Sequence, residues 1–507
     1  MLRTRVIIIG AGPTGLMAAN QLSRFGIDFV LLDSKDGPTV QSRAITVTAR
    51  SLEIYQQMGL TDAVLEEGAR INSFNIYSAG KKKAEVKIGE IGIGLTDFHY
   101  LLGYEQSKNE GLLYQNLKKI GHEVLWNTEF ISLEQTPGAV AATVKNQSET
   151  FNITGTYLIA CDGARSQVRH QLNFKFSGGT YENKFFVADV VMNWPLEYDR
   201  LVISPGDHSF CAFFPLKGEH CYRVVGTLPK GYTDREDIAF EDLDNTIKRT
   251  FKLPLEFEKV NWFSVYKLHH RCVDRFQSGN VFLAGDAAHI HSPAGGQGMN
   301  TGLQDAYNLA WKIAFVQKGI AKESLLETYN EERLPFAQWL MKFTDRAFTL
   351  MTSTNWFIRN LRKYIGLNLA GFILSRKLLR PRLFKTVSQT WYSYTGKSLS
   401  SGFSSKQKLT FRTGDRLPFI RSDYYTSFTT PGFHLIHISD QPSQNLHPEK
   451  ALPFPITLVH NRLEEWKAFG VQLELFILVR PDNYILLIAD CWDAAFVKTT
   501  VSRHFNV

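Results

Sequence analysis

Three glycines, Gly10, Gly12 and Gly15, follow the apolar run Val6–Ile9 in VIIIGAGPTGLMAANQLSRFGIDFVLLD. Their spacing suits the binding of a dinucleotide. Gly10 permits a tight turn, Gly12 lets the backbone approach a pyrophosphate, and Gly15 lets a helix pack close to the strand. Pro13, Thr14 and Gly15 open that helix, whose free N–H groups and positive dipole end favour phosphate. Phe29–Leu32 reads as a second strand, and Asp33 ends it about 20 residues past the glycines, where a carboxylate binds ribose hydroxyls. An acid rather than an arginine there selects an unphosphorylated ribose, as in FAD or NAD. Glycine triplets alone are common; strand, turn, helix, strand and acid in this order are specific.

Two later motifs bear on which dinucleotide. In YLIACDGARSQVR a strand, Tyr157–Ala160, ends at Asp162-Gly163. In VFLAGDAAHIHSPAGGQGMNTGLQDAYNLAWKI a strand, Val281–Ala284, ends at Gly285-Asp286. A glycine-rich loop through Gly296 and Gly298 then leads into a helix from about Met299, with Leu303, Ala306, Leu309, Ala310 and Ile313 on one face. Reduced flavin carries negative charge near N1 and the C2 oxygen, and a glycine-lined helix start offers it N–H groups and a positive dipole end. Chemistry with NAD alone needs no second site so far along the chain, so the motifs together favour FAD. His289 and His291 read as structural rather than as metal ligands or bases, and no metal site is expected.

With these three motifs in order, the chain resembles the single-component flavin monooxygenases related to para-hydroxybenzoate hydroxylase. The resemblance extends to SRAITVTARSLEIYQQMGL and LLGYEQSKNEGLLYQNL and covers most of residues 1–345. It implies that Gly10, Gly12, Pro13, Thr14 and Gly15 hold the pyrophosphate and Asp33 the adenosine ribose. Arg43 and Gln106 would reach the pyrophosphate and ribityl chain, and Phe130 would offer its backbone to the adenine. Asp162 and Gly163 would support the cofactor, Gly285 and Asp286 a ribityl or ribose hydroxyl. Pro293, Gly296, Gly298, Met299 and Asn300 would line the isoalloxazine. The implied reaction uses NADH or NADPH and O2 to hydroxylate a phenolic or polyketide-like aromatic through a flavin C4a-hydroperoxide. Baeyer–Villiger oxidation or epoxidation, and a non-oxygenating flavoprotein reductase, stand as alternatives. Some relatives carry an aspartate where this chain has Ile45, which weakens a simple-phenol assignment. No catalytic base is assignable; Tyr222 and Arg223 are candidate substrate contacts.

The fold the resemblance implies is α/β: a Rossmann-type, glutathione reductase-like FAD domain with an inserted β-sheet substrate domain, and a tail that resembles the thioredoxin-like tail of larger family members. The FAD domain is expected over 1–75, 100–175 and 275–345, and the substrate sheet over 76–99 and 176–274. There ENKFFVADVVMN, HSFCAFFPLK and EHCYRVVGTL read as strands, with Phe210, Ala212 and Phe214 on one face and Cys211 and Phe213 on the other. Residues 346–407 read as basic helices broken by Pro381, and 408–507 as the tail. The tail holds only Cys491, so it lacks a thioredoxin's working pair.

With 507 residues, the chain is long enough for several cores. Its net charge of +8 resides largely in 346–412, which has no acid between Asp345 and Asp415. That segment reads as a solvated face, with weak contact to an anionic surface as the sharper alternative. KKK at 81–83 reads as a loop or strand-end cluster. No nucleic-acid motif is present. Five scattered cysteines form no CxxC and suit a reducing, cytoplasmic setting. No targeting peptide is evident, and IGLNLAGFIL is too short to span a membrane. A monomer or a homodimer is expected.

Overall fold

The computed structural model describes every residue except 1, 41–43, 79, 206–209, 233–234, 236, 293–295, 353–379, 401, 423, 442–447, 449–451 and 453. At its centre lies a six-stranded sheet ordered Gln277–Ser278, Val281–Leu283, Tyr157–Ala160, Val6–Ile9, Phe29–Leu32 and Val124–Leu125. Every neighbouring pair from Val281–Leu283 onward is parallel. Helices cover such a sheet on both faces, so its strands are apolar throughout rather than alternating; Val6–Ile9 is wholly buried. Register decides function here. Ile9 lies level with Leu32 and Ala160, and Ala160 with Leu283. The residues that follow, Gly10, Asp33, Asp162 and Gly285-Asp286, therefore emerge along one edge, the usual ligand crevice of an open α/β sheet.

Two helices close that edge. Pro13–Arg24 starts at Gly12 with no side-chain cap, leaving its first N–H groups free of side-chain partners. Gln297–Gln317 starts two residues earlier than the sequence pattern suggests, because Gly296 adopts φ +63° and turns the chain into it. The two helices pack through Gly302, where a Cβ would lie 2.3 Å from Thr14 Oγ1.

The second large sheet has eight strands, ordered His289–Ile290, Glu256–Val273, Phe176–Asn193, Cys221–Thr227, Phe210–Pro215, Arg200–Pro205, Ser73–Ser78 and Lys81–Val86. Ser73–Ser78 runs on across residue 75, where a boundary was expected. His289–Ile290 follows the Gly285–Ala287 turn directly and pairs with Arg271–Cys272. The loop after Asp286 is thus stitched to the eight-stranded sheet. Lys81, Lys82 and Lys83 begin the edge strand and are exposed, a placement that discourages pairing with other chains.

In the tail a five-stranded sheet runs Gly402–Ser404, Ile485–Ala489, Leu475–Val479, Phe433–Ile438, Ile456–Asn461. Phe433–Ile438 and Ile456–Asn461 are parallel, and Leu475–Val479 is antiparallel to both of its neighbours. Its Arg480–Asp482 turn plugs into the first domain. Arg480 Nη1 and Nη2 donate to the two carboxylate oxygens of Glu332 at 2.6 and 2.9 Å. Lys312 Nζ donates to Glu332 Oε2 at 2.7 Å, and Arg50 Nη2 to the Asp482 carbonyl at 2.7 Å. These charges are fully buried, so each depends on its partner. Burial opposes ionisation of Glu332, but Arg480 and Lys312 outweigh it and hold its carboxyl below the usual range.

Pro381 lies in the helix Arg380–Val387, and the residues that lead into it, 353–379, lie outside the described residues. IGLNLAGFIL and the rest of residues 353–379 of the basic stretch lie outside the described residues. Among the described residues no helix is long and apolar enough to cross a membrane. All five cysteines are unpaired.

Candidate active site

Between the two large sheets lies one cavity of about 1240 Å³. Of the residues singled out from the sequence, Gly10, Gly12, Pro13, Thr14, Asp33, Gln106, Phe130, Asp162, Gly163, Asp286, Gly296, Gly298 and Met299 line it. Gly10 is held at φ +100°, and a Cβ there would strike the Cys161 carbonyl oxygen at 2.4 Å. A Cβ on Gly12 would meet nothing within 4 Å, because that position opens into the cavity. One glycine is thus demanded by the fold, the other by what enters the space.

The acids around this end are held by backbone. Asp33 Oδ2 accepts from Ala11 N at 2.7 Å, and Oδ1 from Lys35 N at 2.9 Å, so the ribose-type carboxylate is locked to the glycine turn. Gln106 Nε2 donates to Glu110 Oε1 at 2.9 Å, and Glu110 Oε2 accepts from Thr39 N at 2.8 Å. Glu110 went unnoticed in the sequence, although its i,i+4 spacing from Gln106 was the available signal. Asp162 Oδ2 accepts from Val168 N at 3.2 Å, while its buried Oδ1 has no partner among the described residues. Burial pushes the Asp162 carboxyl up. Asp286 lines the cavity and is exposed; the surrounding protein desolvates its carboxyl and raises it too, although His289 partly offsets this.

Other expected residues stand behind the wall. A Cβ on Gly15 would lie 1.9 Å from the Gly10 carbonyl oxygen, which makes Gly15 a packing glycine. Gly285, at φ +61°, faces Thr14. Asn300 is buried and braces the loop, its Nδ2 donating to Thr46 O and Gly296 O at 2.9 and 2.8 Å and its Oδ1 accepting from Thr48 N at 2.9 Å. Arg43 and Pro293 lie outside the described residues.

At the other end the wall is one face of the eight-stranded sheet. Phe210, Ala212 and Phe214 line the cavity, while Cys211 and Phe213 pack into a separate apolar core. Phe74, Leu201, Trp262, Phe263 and Tyr266 extend the apolar wall, and Phe348 reaches it from the helix Ser324–Thr352. Ser264, Lys267 and His269 add polar groups. Burial, then the nearby Arg271 and Lys267, lower the His269 imidazole.

Tyr222 and Arg223 do not line the cavity. Strand alternation turns Tyr222 into the core on the far face, where its hydroxyl accepts from Trp194 Nε1 at 3.2 Å. Arg223 lies on the near face but is spent on structure. It makes a bidentate pair with Asp189 at 2.6 and 2.7 Å and donates to the Ala44 carbonyl at 3.3 Å.

Beneath the floor runs a buried polar chain that the sequence did not disclose. Arg333 Nε donates to Asp305 Oδ1 at 2.7 Å. Asp305 Oδ2 accepts from Gly285 N at 3.1 Å and lies 2.6 Å from His289 Nε2. His289 Nδ1 lies 2.8 Å from Nε2 of His291, which borders the cavity. Burial opposes ionisation of Asp305, but Arg333 and His289 outweigh it and hold its carboxyl below the usual range.

Known proteins share this architecture. The family described as "FAD binding domain" matches residues 3–344. The chain is 32% identical over 415 residues to 6-methylpretetramide 4-monooxygenase of Streptomyces rimosus, covering 81% of this chain and 72% of that protein. It is 33% identical over 354 residues to pentachlorophenol 4-monooxygenase of Sphingobium chlorophenolicum, covering 67% of this chain and 63% of that one. Among solved structures it is similar to the OxyS anhydrotetracycline hydroxylase from Streptomyces rimosus, with 27% identity, a TM-score of 0.77 and 99% of each chain covered.

Proposed function

The chain belongs to the family of FAD-dependent aromatic monooxygenases, and from that premise we propose that it inserts one oxygen atom of O2 into a polycyclic, phenolic aromatic at the expense of NADH or NADPH. One observation carries this reading: a single cavity joins a glycine-lined nucleotide end to an aromatic-lined sheet end. The residues fit the flavin nucleotide. Gly12 leaves room where a pyrophosphate must come close, and Asp33 is fixed at ribose position. Asp162 keeps a buried oxygen without a partner among the described residues, at a cost of about 1–3 kcal/mol that a bound donor would relieve.

When bound and reduced, FAD supplies the oxidising chemistry with O2. This chain's residues do the rest. The free N–H groups at the start of Pro13–Arg24 would hold the phosphates. Gly296, Gly298 and Met299, at the start of Gln297–Gln317, would hold the ring system, where the helix's positive end favours negative charge. The aromatic wall orients a flat substrate and excludes water. Relatives named for 6-methylpretetramide and anhydrotetracycline support a fused-ring substrate, and so does Ile45, an apolar side chain at the cavity wall. The tail, with one exposed cysteine, serves structure rather than redox exchange.

The test is turnover of FAD-loaded protein with NADH or NADPH under 18O2 and a panel of naphthols, anthraquinones and tetracyclines. Single 18O incorporation at a ring carbon is expected. A Baeyer–Villiger ester or an epoxide would move the reading to another oxygen insertion. Nicotinamide oxidation without a labelled product would make the protein a reductase.

A further inference from the structure

His291 is left with one unused function. It is buried and borders the cavity, and its Nε2 is engaged by His289. Its other ring nitrogen, Nδ1, is buried with no partner among the described residues. The polar chain behind it decides what that nitrogen can do. A carboxylate only accepts, so His289 Nε2 donates to Asp305. Arg333 already balances the Asp305 charge, and a neutral His289 leaves the buried group without net charge. His289 Nδ1 is then an acceptor, and His291 Nε2 must donate to it. One nitrogen remains on His291, and it carries a bare lone pair. Burial also presses this imidazole well below the usual histidine range, so it stays uncharged.

Resting on the monooxygenase reading above, we propose that His291 Nδ1 is a fixed, neutral acceptor that takes a hydrogen bond from a hydroxyl on the aromatic substrate and so selects hydroxylated rings over their ethers. No proton is transferred in this contact. His289, Asp305 and Arg333 are positioning residues that set the tautomer. A site built to receive an O–H discriminates strongly, because the analogue lacking it leaves a buried acceptor unsatisfied.

The experiment compares 2-naphthol with 2-methoxynaphthalene at pH 7. Binding to oxidised, FAD-loaded protein is followed by the perturbation of flavin absorbance, and FAD affinity is measured separately by fluorescence. Wild type should favour 2-naphthol by about tenfold or more. His291→Leu should bring that ratio near one with FAD affinity unchanged. His291→Gln, which retains an acceptor, should restore part of the preference. The proposal is overturned by an unchanged ratio in His291→Leu, by loss of FAD affinity instead (the donor would then be a flavin N–H), or by no 2-naphthol binding at all. None of these readouts needs turnover, so failure of the oxygenation reading is seen separately in the 18O2 assay.

Discussion

At the nucleotide end of the cavity the groups that matter are glycines, backbone N–H groups and backbone-anchored acids: Gly10, Gly12, and Asp33 held by Ala11 N. At the ring end they are side chains on one face of a sheet: Phe210, Ala212, Phe214 and Trp262. Backbone geometry tolerates little change, and under the proposed function it would grip a chemical unit, the pyrophosphate, that does not vary between substrates. A side-chain wall can be recut one residue at a time without disturbing the strands that carry it. The first end suits an invariant cofactor and the second a variable substrate.

The widest effects should come from the glycines. Gly15→Val pushes a Cβ into the Gly10 carbonyl and should prevent recovery of folded protein. Gly12→Val, three residues earlier, meets open space and should leave the melting temperature of the cofactor-free protein within a few degrees of wild type. Its FAD affinity should fall by about 100-fold or more, since backbone approach to the pyrophosphate is blocked. Tight FAD binding by Gly12→Val would break the contrast between the two ends.

Next comes a neighbouring pair at the ring end. Phe213→Ala empties a fully buried core position and should cost about 3–5 kcal/mol in denaturant unfolding. Phe214→Ala removes part of the cavity wall and should cost less than Phe213→Ala, while altering KM for the aromatic and sparing FAD affinity. Equal stability losses at the two positions would contradict the assignment of the faces.

A smaller effect is expected at Asp286. Enclosure raises its folded-state titration above the usual aspartate range. The folded protein therefore binds more protons than the unfolded chain in that window, and this group's contribution to stability falls as pH rises through it. Asp286→Asn should make the cofactor-free protein modestly more stable at pH 7 and flatten that slope, while weakening FAD binding. A less stable variant at pH 7 would mean that the carboxylate has a partner.

How far the sequence went follows the same division. Val6–Ile9, Phe29–Leu32 and Tyr157–Ala160 were legible to the residue, because a short apolar run stopped by glycine or aspartate is a local signal. The wall from Trp262 to His269 was not. Its strand, Glu256–Val273, pairs with Phe176–Asn193 across register shifts that break the period-2 pattern. Tyr222 shows the cost: its type suggested a substrate contact, but only the pairing of its strand reveals which face it takes. Asp305 and Arg333 look like ordinary helical polar residues until the fold brings them within 2.7 Å. The Arg480–Glu332 clamp joins residues 148 apart and had no local sign.

The central claim is that two helix starts grip one flavin nucleotide while the sheet face holds the aromatic. A crystal structure of the protein with FAD and a bound naphthol tests it most directly. The pyrophosphate should lie within hydrogen-bond reach of the Gly12–Thr14 backbone, the isoalloxazine against Gly296–Met299, and the naphthol between that ring and Phe210, Phe214 and Trp262. A flavin ring remote from Gly296–Met299, or a naphthol bound outside this cavity, would contradict the account.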